Sequence, residues 1–329
     1  MKKNIVVYIK TEEEGRRRMA QAAPDYNLIF DYDKKYAADC AAVIGNIPVD
    51  DIKDNKNLLW LQLSMAGTEP YSIPGKINPE TVITNSSGAF GLAISEYMVG
   101  YVFELYKKLA IYRDNQNMSL WQDMGNVMRV EGSRVLVLGM GDIGGSFARK
   151  MKALGCYIVG ICRTEKEKPH YCDELYTQES LDSEIPKADI IAMALPGTPE
   201  TAGIISKDRI AKMKNSAIII NVGRGSAIDT DALTEALQND KIYGCALDVT
   251  DPEPLPPEHQ LWKCKNAIIT PHITGFFHLR DTYDMIIDIC VENLRRFQNG
   301  EKLLNIVDKD TRYRKNGDGV FSSEMRSTK

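Results

Sequence analysis

The sequence predicts an α/β protein built from two parallel-sheet domains. Short β-like runs alternate with helical or turn-like segments along most of the 329 residues, and this alternation is typical of parallel sheets covered by helices. A chain of this length exceeds one compact core of ordinary size. A second series of strands begins at mid-chain, directly before a glycine-rich turn, which indicates where the second domain starts.

The first half carries five β-like runs. They lie at 5–9, 27–30, 41–44, 58–63 and 81–83. A long stretch from Ser95 to Arg113 follows, in which Met98, Val102 and Leu105 recur at helical spacing. We therefore expect one long amphipathic helix between the two domains.

The second half carries six β-like runs. They lie at 135–138, 157–161, 190–194, 217–222, 243–247 and 267–269. Six is the strand count of a full dinucleotide-binding domain. A second long helix is predicted from Asp281 to Phe297, with Gly300 placed to end it. The segment from Gly317 to the end of the chain reads as a mobile tail.

A glycine-rich turn follows the first strand of the second series. Gly139-Met-Gly141-Asp-Ile-Gly144 comes directly after Val135-Leu-Val-Leu138 and opens a helix-like run. Glycines at this spacing let the backbone approach a pyrophosphate and let the helix pack on the strand. Strand, turn, helix and next strand fall within one short unit, which is the context that supports a dinucleotide site.

The end of the next strand indicates which dinucleotide is bound. NAD would favour a carboxylate there, to bind the ribose 2′-hydroxyl. The chain instead has Arg163-Thr164, with Lys166 and Lys168 close behind. An arginine and a hydroxyl suit a 2′-phosphate, so we favour NADP(H) over NAD(H). The alternative is that Arg163 covers the adenine face and the lysines belong to a solvated loop.

Three ionisable residues follow the last three strands. Arg224 lies in Asn221-Val-Gly-Arg-Gly, Glu253 in Asp248-Val-Thr-Asp-Pro-Glu-Pro, and His272 in Thr270-Pro-His. Carboxyl ends of parallel strands meet at one edge of a sheet, so we expect the three side chains to converge there. A cation, a carboxylate and an imidazole can clamp an anion and protonate a carbonyl. Alone, each would read more simply as a surface charge or a satisfied polar residue.

Composition narrows the class of protein. The formal net charge is −4, which gives no electrostatic reason to expect nucleic acid or an anionic membrane as a partner. No apolar run approaches a membrane span, and the amino terminus lacks a signal-peptide core. The seven cysteines contain no Cys-x-x-Cys pair, so we expect reduced thiols, no metal site and a cytoplasmic location.

The motifs together resemble the D-isomer-specific 2-hydroxyacid dehydrogenases, and the glyoxylate/hydroxypyruvate reductases among them. The resemblance covers nearly the whole chain and includes the glycine turn, 195–201 (LPGTPET), 221–225, 246–254 and 270–272. In the first half, Ser64-Met-Ala-Gly-Thr68 looks like the family's substrate-carboxylate loop. The resemblance implies a flavodoxin-like substrate lobe, a Rossmann NAD(P)-binding lobe, and a homodimer. We expect the substrate lobe to comprise 1–97 plus 298–329 and the dinucleotide-binding domain to comprise 98–297.

The resemblance also implies residue roles. His272 would be the general acid, Glu253 its partner that favours the charged imidazole, and Arg224 the clamp on the substrate carboxylate. Backbone N–H groups of Met65, Ala66 and Gly67 would bind the same carboxylate, and Asp248 would face the nicotinamide carboxamide. The expected cofactor-binding set is Gly139, Gly141, Asp142, Ile143, Gly144, Arg163, Thr164, Leu195, Pro196, Thr201, Val222, Gly223, Arg224, Asp248, His272 and Gly275.

The expected reaction is reduction of a small 2-oxoacid to the D-2-hydroxyacid. Glyoxylate and hydroxypyruvate are the default substrates by resemblance, and a branched or aromatic 2-oxoacid stays open. Phe276-Phe-His278 departs from the family's usual run of small residues, which leaves the substrate uncertain. Alternatives are a non-catalytic, nucleotide-sensing interaction protein on the same fold, or a dehydrogenase of the phosphite or formate type. Trp121 reads as an interface aromatic, although some relatives place a substrate contact there.

Overall fold

The computed structural model describes residues 2–30 and 34–314, and the expected tail lies outside these ranges. The described chain forms two compact units. The first holds the residues up to Phe90 and those from Phe277 onward, and the second is Gly91–Phe276. These limits differ from the expected boundaries at 97/98 and 297/298. The helix that begins at Gly91 lies wholly in the second unit, and the long helix near the carboxyl end lies in the first.

The first unit contains a five-stranded parallel sheet within the described residues. The strands are β1 (Asn4–Val7), β2 (Asn27–Ile29), β3 (Ala42–Ile44), β4 (Trp60–Gln62) and β5 (Val82–Thr84). Their spatial order is β2-β1-β3-β4-β5, which is the flavodoxin-like order. All five strands predicted for the first half are confirmed.

The described residues include eight α-helices. They are α1 (Glu13–Ala22), α2 (Gly91–Tyr106), α3 (Leu109–Asn117), α4 (Asp142–Ala153), α5 (Leu181–Glu184), α6 (Lys207–Ala211), α7 (Thr230–Gln238) and α8 (Arg280–Asn299). The predicted C-terminal helix is α8, and it ends as expected at Gly300, whose φ is 68°.

Helix α8 packs within the first unit rather than with the second. Arg18 of α1 pairs with Asp288 of α8, with Nη2 and Oδ1 2.6 Å apart. The buried Asn293 donates from Nδ2 to Oε1 of Gln62 in β4 at 2.7 Å and accepts from the N–H of Leu304. These bonds attach the helix to the first sheet and explain the shifted boundary.

The second unit contains a seven-stranded parallel sheet. Its strands are β6 (Arg134–Leu138), β7 (Tyr157–Cys162), β8 (Glu174–Thr177), β9 (Ile190–Met193), β10 (Ile218–Asn221), β11 (Gly244–Leu247) and β12 (Ala267–Ile269). The order is β12-β11-β10-β9-β6-β7-β8, the Rossmann order with one strand added beyond the sixth. The six predicted strands are present, and the expectation of six was one short: the edge strand β8 was missed because it is only partly buried and has no apolar run.

The predicted helix at 95–113 is two helices, α2 and α3. Lys108 separates them in the left-handed conformation, with φ 56°. The ammonium groups of Lys107 and Lys108 donate to the carbonyl oxygens of Met128 and Met124. The long segment between α3 and β6 therefore holds the break in place. Among the described helices, none has both the length and the apolar character that a membrane crossing needs.

A buried hydrophobic cluster supports the sheet of each unit. In the second unit, Leu136, Ile191 and Ile219 of neighbouring strands belong to one buried cluster. Because β9, β10 and β11 are fully buried along their length, the residues that follow them leave a rigid layer. The loops after β9, β10 and β11 therefore start from a rigid sheet edge.

Candidate active site

The turn between β6 and α4 is a close backbone approach that requires glycine. Gly139 has φ 94°, and a Cβ there would lie 2.7 Å from the carbonyl oxygen of Ala194. A Cβ on Gly144 would lie 2.0 Å from the carbonyl oxygen of Gly139. Helix α4 begins directly after Gly141, which is exposed, so the first N–H groups of the helix are accessible to an anion. The turn fits a pyrophosphate group.

The residues that follow β7 are exposed. Arg163 and Thr164 lie just beyond Cys162, the last residue of the strand. Lys166 donates to the carbonyl of Met140 at 2.8 Å, and Lys168 donates to the carbonyl of Cys172 at 2.7 Å. The two lysines thus tie this loop to neighbouring backbone, one of them to the glycine turn itself.

The loop after β9 is held by its own threonine. Thr201 donates from Oγ1 to the carbonyl of Pro196 at 2.6 Å and accepts from the N–H of Thr198. A Cβ on Gly223 would lie 2.5 Å from the carbonyl oxygen of Leu195. The loops after β9 and β10 therefore approach each other through backbone.

Asn221 organises the turn that carries Arg224. Its Oδ1 accepts from the N–H of Gly223 at 3.0 Å, and its Nδ2 donates to the carbonyl of Arg224 at 2.8 Å. The guanidinium of Arg224 is partly exposed and donates to the carbonyl of Gly223. The sequence motif gave no role to Asn221, although an asparagine at the end of a strand, two residues before a glycine, is typical of such a turn.

His272 and Glu253 are in direct contact. Nδ1 of His272 and Oε1 of Glu253 lie 2.7 Å apart, and the two side chains are 46% and 42% exposed. The contact fixes the orientation of the imidazole and selects Nε2 as the nitrogen that a ligand can meet. His272 has φ 51°, a left-handed conformation that non-glycine residues rarely adopt. The backbone turn around it must therefore be held by other groups.

Asp248 supplies that hold. It is 2% exposed and accepts four hydrogen bonds from the 270–274 turn: Oδ1 from Thr270 Oγ1 and Ile273 N, and Oδ2 from the N–H and Oγ1 of Thr274. Its carbonyl accepts from the N–H of His272 at 2.9 Å. The structure thus gives Asp248 a role in the turn, and its expected contact to the nicotinamide stays a prediction. The hydroxyls of Thr270 and Thr274 hold this turn, and no sequence motif assigned a role to either residue.

The substrate-loop candidates Met65, Ala66 and Gly67 lie in the first unit. They follow β4, and the carbonyls of Met65 and Ala66 accept from Ser86 N and Asn85 Nδ2, at 3.0 and 2.7 Å. The loop is thereby anchored to the residues that follow β5. Met65 is 37% exposed, so the loop lies at the surface of its unit.

The three stretches that carry Arg224, Glu253 and His272 converge in the second unit. Strands β10, β11 and β12 are neighbours in the sheet, and a Cβ on Gly225 would lie 2.0 Å from the carbonyl oxygen of Thr250. A cavity of about 490 Å³ in the same unit contains none of these three residues. It is lined at the opposite, amino edge of the sheet by residues such as Tyr243 and Lys265, so it is not the candidate active site.

The comparisons with known proteins agree with this geometry. The family described as "D-isomer specific 2-hydroxyacid dehydrogenase, NAD binding domain" matches residues 99–274, more than half of the chain. The chain belongs to the D-isomer specific 2-hydroxyacid dehydrogenase family. It is therefore an oxidoreductase with an NAD(P)-binding Rossmann domain, as the motifs predicted.

Individual relatives show the same likeness. A protein of Corynebacterium melassecola, described as uncharacterized and encoded in the proB 3′ region, is 30% identical over 259 residues, 77% of this chain and 83% of that protein. A solved D-isomer specific 2-hydroxyacid dehydrogenase family protein from Aeromonas salmonicida is 29% identical, with a TM-score of 0.83 over 94% of this chain and 100% of its own. A D-isomer specific 2-hydroxyacid dehydrogenase from Xanthobacter autotrophicus, solved with NADPH and MES, is 25% identical, with a TM-score of 0.79 over 95% and 100%.

Proposed function

We propose that the protein reduces a small 2-oxoacid to the D-2-hydroxyacid, with NADPH as the preferred cofactor and His272 as general acid. The contact between His272 Nδ1 and Glu253 Oε1 carries the proposal. A carboxylate on one ring nitrogen favours the charged imidazole, whose other nitrogen then holds a proton for a carbonyl oxygen. The family membership supplies the reaction class.

The chain's own residues divide the work as follows. Nε2 of His272 donates the proton to the substrate carbonyl oxygen. Glu253 stabilises the imidazolium before transfer and orients the ring throughout. Arg224 binds the substrate carboxylate with a charged planar donor. When bound, the reduced nicotinamide supplies the hydride that the carbonyl carbon accepts.

The carboxylate has a second proposed binding element in the substrate loop. Backbone N–H groups of Met65, Ala66 and Gly67 would bind it, which is supported by the likeness of residues 64–68 to the family's carboxylate loop. Glyoxylate and hydroxypyruvate are the proposed substrates. A larger 2-oxoacid would implicate the exposed Phe276 and Phe277, which are 51% and 46% accessible.

The cofactor proposal rests on the end of β7. Arg163 and Thr164 are exposed there, and a guanidinium beside a hydroxyl suits a 2′-phosphate better than a 2′-hydroxyl. The Xanthobacter relative was solved with NADPH, which is consistent with this preference. The pyrophosphate would lie on the turn from Gly139 to Gly144, with Asp142 and Ile143 at the start of α4.

We further propose a homodimer in the cytoplasm. Trp121 is fully exposed at 103%, and Met118, Leu120 and Val127 in the same segment are 45–66% exposed. An apolar set of this size on one segment is typical of a protein interface. All seven cysteines are free thiols, which suits a reducing compartment.

A panel of 2-oxoacids assayed with NADPH and with NADH tests the reaction and the cofactor together. Turnover of at least one 2-oxoacid, faster with NADPH, is the expected result. His272→Gln should abolish turnover with cofactor affinity nearly intact, and near-normal turnover would remove His272 from the acid role. Arg163→Asp should shift the preference towards NADH; an unchanged ratio would show that Arg163 does not bind the phosphate.

If the wild-type protein reduces no 2-oxoacid of the panel but still binds the cofactor, the proposed reductase activity is wrong and a nucleotide-sensing function is favoured instead. The 2-oxoacid reduction would also be excluded if phosphite or formate alone were oxidised.

A further inference from the structure

Tyr101 lies outside every sequence motif of the site and yet is bonded to it. The residue lies on α2, is 4% exposed, and its hydroxyl lies 2.7 Å from Oγ1 of Thr270. Thr270 follows β12 and opens the turn that carries His272. A tyrosine on a helix thus reaches the turn of the proposed general acid.

The direction of these hydrogen bonds follows from the carboxylate of Asp248, which can only accept. Oγ1 of Thr270 donates its one proton to Oδ1 of Asp248 at 2.6 Å. The hydroxyl of Tyr101 must therefore be the donor to Thr270. Burial raises the pKa of Tyr101 to about 12, so the hydroxyl keeps its proton at neutral pH. Tyr101, Thr270 and Asp248 thus form a hydrogen-bonded series in which each hydroxyl donates to the next residue.

This hydrogen-bonded series ends at Asp248, whose carboxylate also binds the backbone of the 270–274 turn. Asp248 accepts from the N–H groups of Ile273 and Thr274 on the far side of His272. His272 itself holds φ 51°, a conformation that persists where the surroundings determine it. Loss of the Tyr101 donor would leave Oγ1 of the partly buried Thr270 without that hydrogen bond and would release its rotamer.

We propose that Tyr101 is a positioning residue for His272: its hydroxyl, through Thr270, fixes the Asp248 carboxylate and with it the 270–274 turn. This rests on the proposed function, because the turn matters to catalysis only if His272 is the acid. Tyr101 touches neither substrate nor cofactor in this role. It acts on the rate by holding the imidazole where proton transfer occurs, and displacements of about 1 Å in such a group cost up to roughly 100-fold in rate.

The test compares Tyr101→Phe with Tyr97→Phe. Tyr97 lies one helical turn earlier on α2 and is 38% exposed, so its variant also loses one tyrosine hydroxyl and is the matched control. Three kinds of measurement are made on the full chain: steady-state kinetics with the 2-oxoacid for kcat and KM, fluorescence titration for NADPH affinity, and hydrogen–deuterium exchange of peptides that cover 270–276.

Tyr101→Phe is expected to lower kcat about tenfold, to leave NADPH affinity within about twofold, and to speed exchange at 270–276. Tyr97→Phe should match the wild type in all three. Thr270→Ser keeps the hydroxyl and should retain the wild-type behaviour, whereas Thr270→Val should reproduce the Tyr101→Phe result. This split separates positioning from a general loss of stability, which would affect exchange across the whole unit.

A Tyr101→Phe protein with wild-type kcat and wild-type exchange at 270–276 would overturn the proposal. Faster exchange throughout the second unit, with no excess at 270–276, would also overturn it in favour of a structural role. If the wild type reduces no 2-oxoacid, the proposed function fails. The exchange comparison still decides whether Tyr101 holds the turn.

Discussion

Replacement of Gly144 by alanine tests the close approach at the dinucleotide turn. A Cβ at this position would lie 2.0 Å from the carbonyl oxygen of Gly139 and 3.1 Å from both its carbonyl carbon and Cγ1 of Val137. The nearest atom is backbone, so rotation of a side chain cannot relieve the clash. Helix α4 must move away from β6, or the Gly139 peptide must turn.

The cost can be placed by comparison with overpacked cores, which lose about 1–3 kcal/mol. A 2.0 Å approach to a backbone oxygen belongs at the upper end of that range, so we expect a loss of roughly 3 kcal/mol in the free energy of unfolding. For a unit of this size each kcal/mol lowers the thermal midpoint by about 2–4 °C. The expected fall is therefore roughly 6–12 °C.

Differential scanning calorimetry measures the midpoint, and fluorescence titration measures NADPH affinity, which should fall because the start of α4 shifts. Gly100→Ala is the matched control. Gly100 is exposed within α2, and a Cβ there would meet nothing within 4 Å, so alanine should stabilise the helix by about 0.5–1 kcal/mol. A Gly144→Ala midpoint equal to the wild type would refute the close approach, as would equal losses in both variants.

Three other changes have expected outcomes. Glu253→Gln should lower kcat on the order of 100-fold with NADPH affinity unchanged, since a neutral amide does not favour the imidazolium; kcat within threefold of wild type would contradict the pairing. Burial would raise the pKa of Glu184, but hydrogen bonds from Lys187 and Arg134 outweigh it and leave the pKa below 4.5. The stability that this carboxylate contributes is then fully present above pH 4.5 and is lost as the pH falls through the lower folded-state pKa. The thermal midpoints of the wild type and of Glu184→Gln should therefore converge in acid. A difference between the two midpoints that widens in acid would refute the lowered pKa. Trp121→Ala should weaken the proposed homodimer by about 2 kcal/mol, roughly 30-fold in Kd, as measured by sedimentation velocity; an unchanged association constant would contradict an interface at Trp121.

The sequence predicted most of what is built from local apolar runs. The buried strands from β9 to β11 read clearly because isoleucine, alanine and leucine cluster there. Arg224 and Glu253 follow two of these strands, and His272 follows the partly buried strand β12, so the sequence placed all three proposed site residues beyond strand ends. The pairing of His272 with Glu253 was expected through the resemblance, and the structure gives its distance.

The features that the sequence did not predict depend on contacts between residues that are far apart along the chain. Lys108 breaks the long helix without glycine or proline, because its ammonium group bonds to Met124 beyond α3. The membership of α8 in the first unit follows from contacts such as Arg18 with Asp288. Tyr101 lies within the predicted helix and is buried, but its hydrogen bond to Thr270 spans 169 residues of sequence. No local pattern reports such a bond.

The exposure of the proposed catalytic pair has a consequence for how this protein can change. Glu253 and His272 are 42% and 46% exposed, whereas Ile219 and Ile220 of β10 are fully buried. Substitution of an exposed loop residue costs little folding energy compared with substitution in the strands beneath. Laboratory evolution of a new substrate preference can therefore change the loops at this edge without lowering the stability of the sheet. Asp248, 2% exposed and bonded to four donors, is the exception and should stay invariant in such a library.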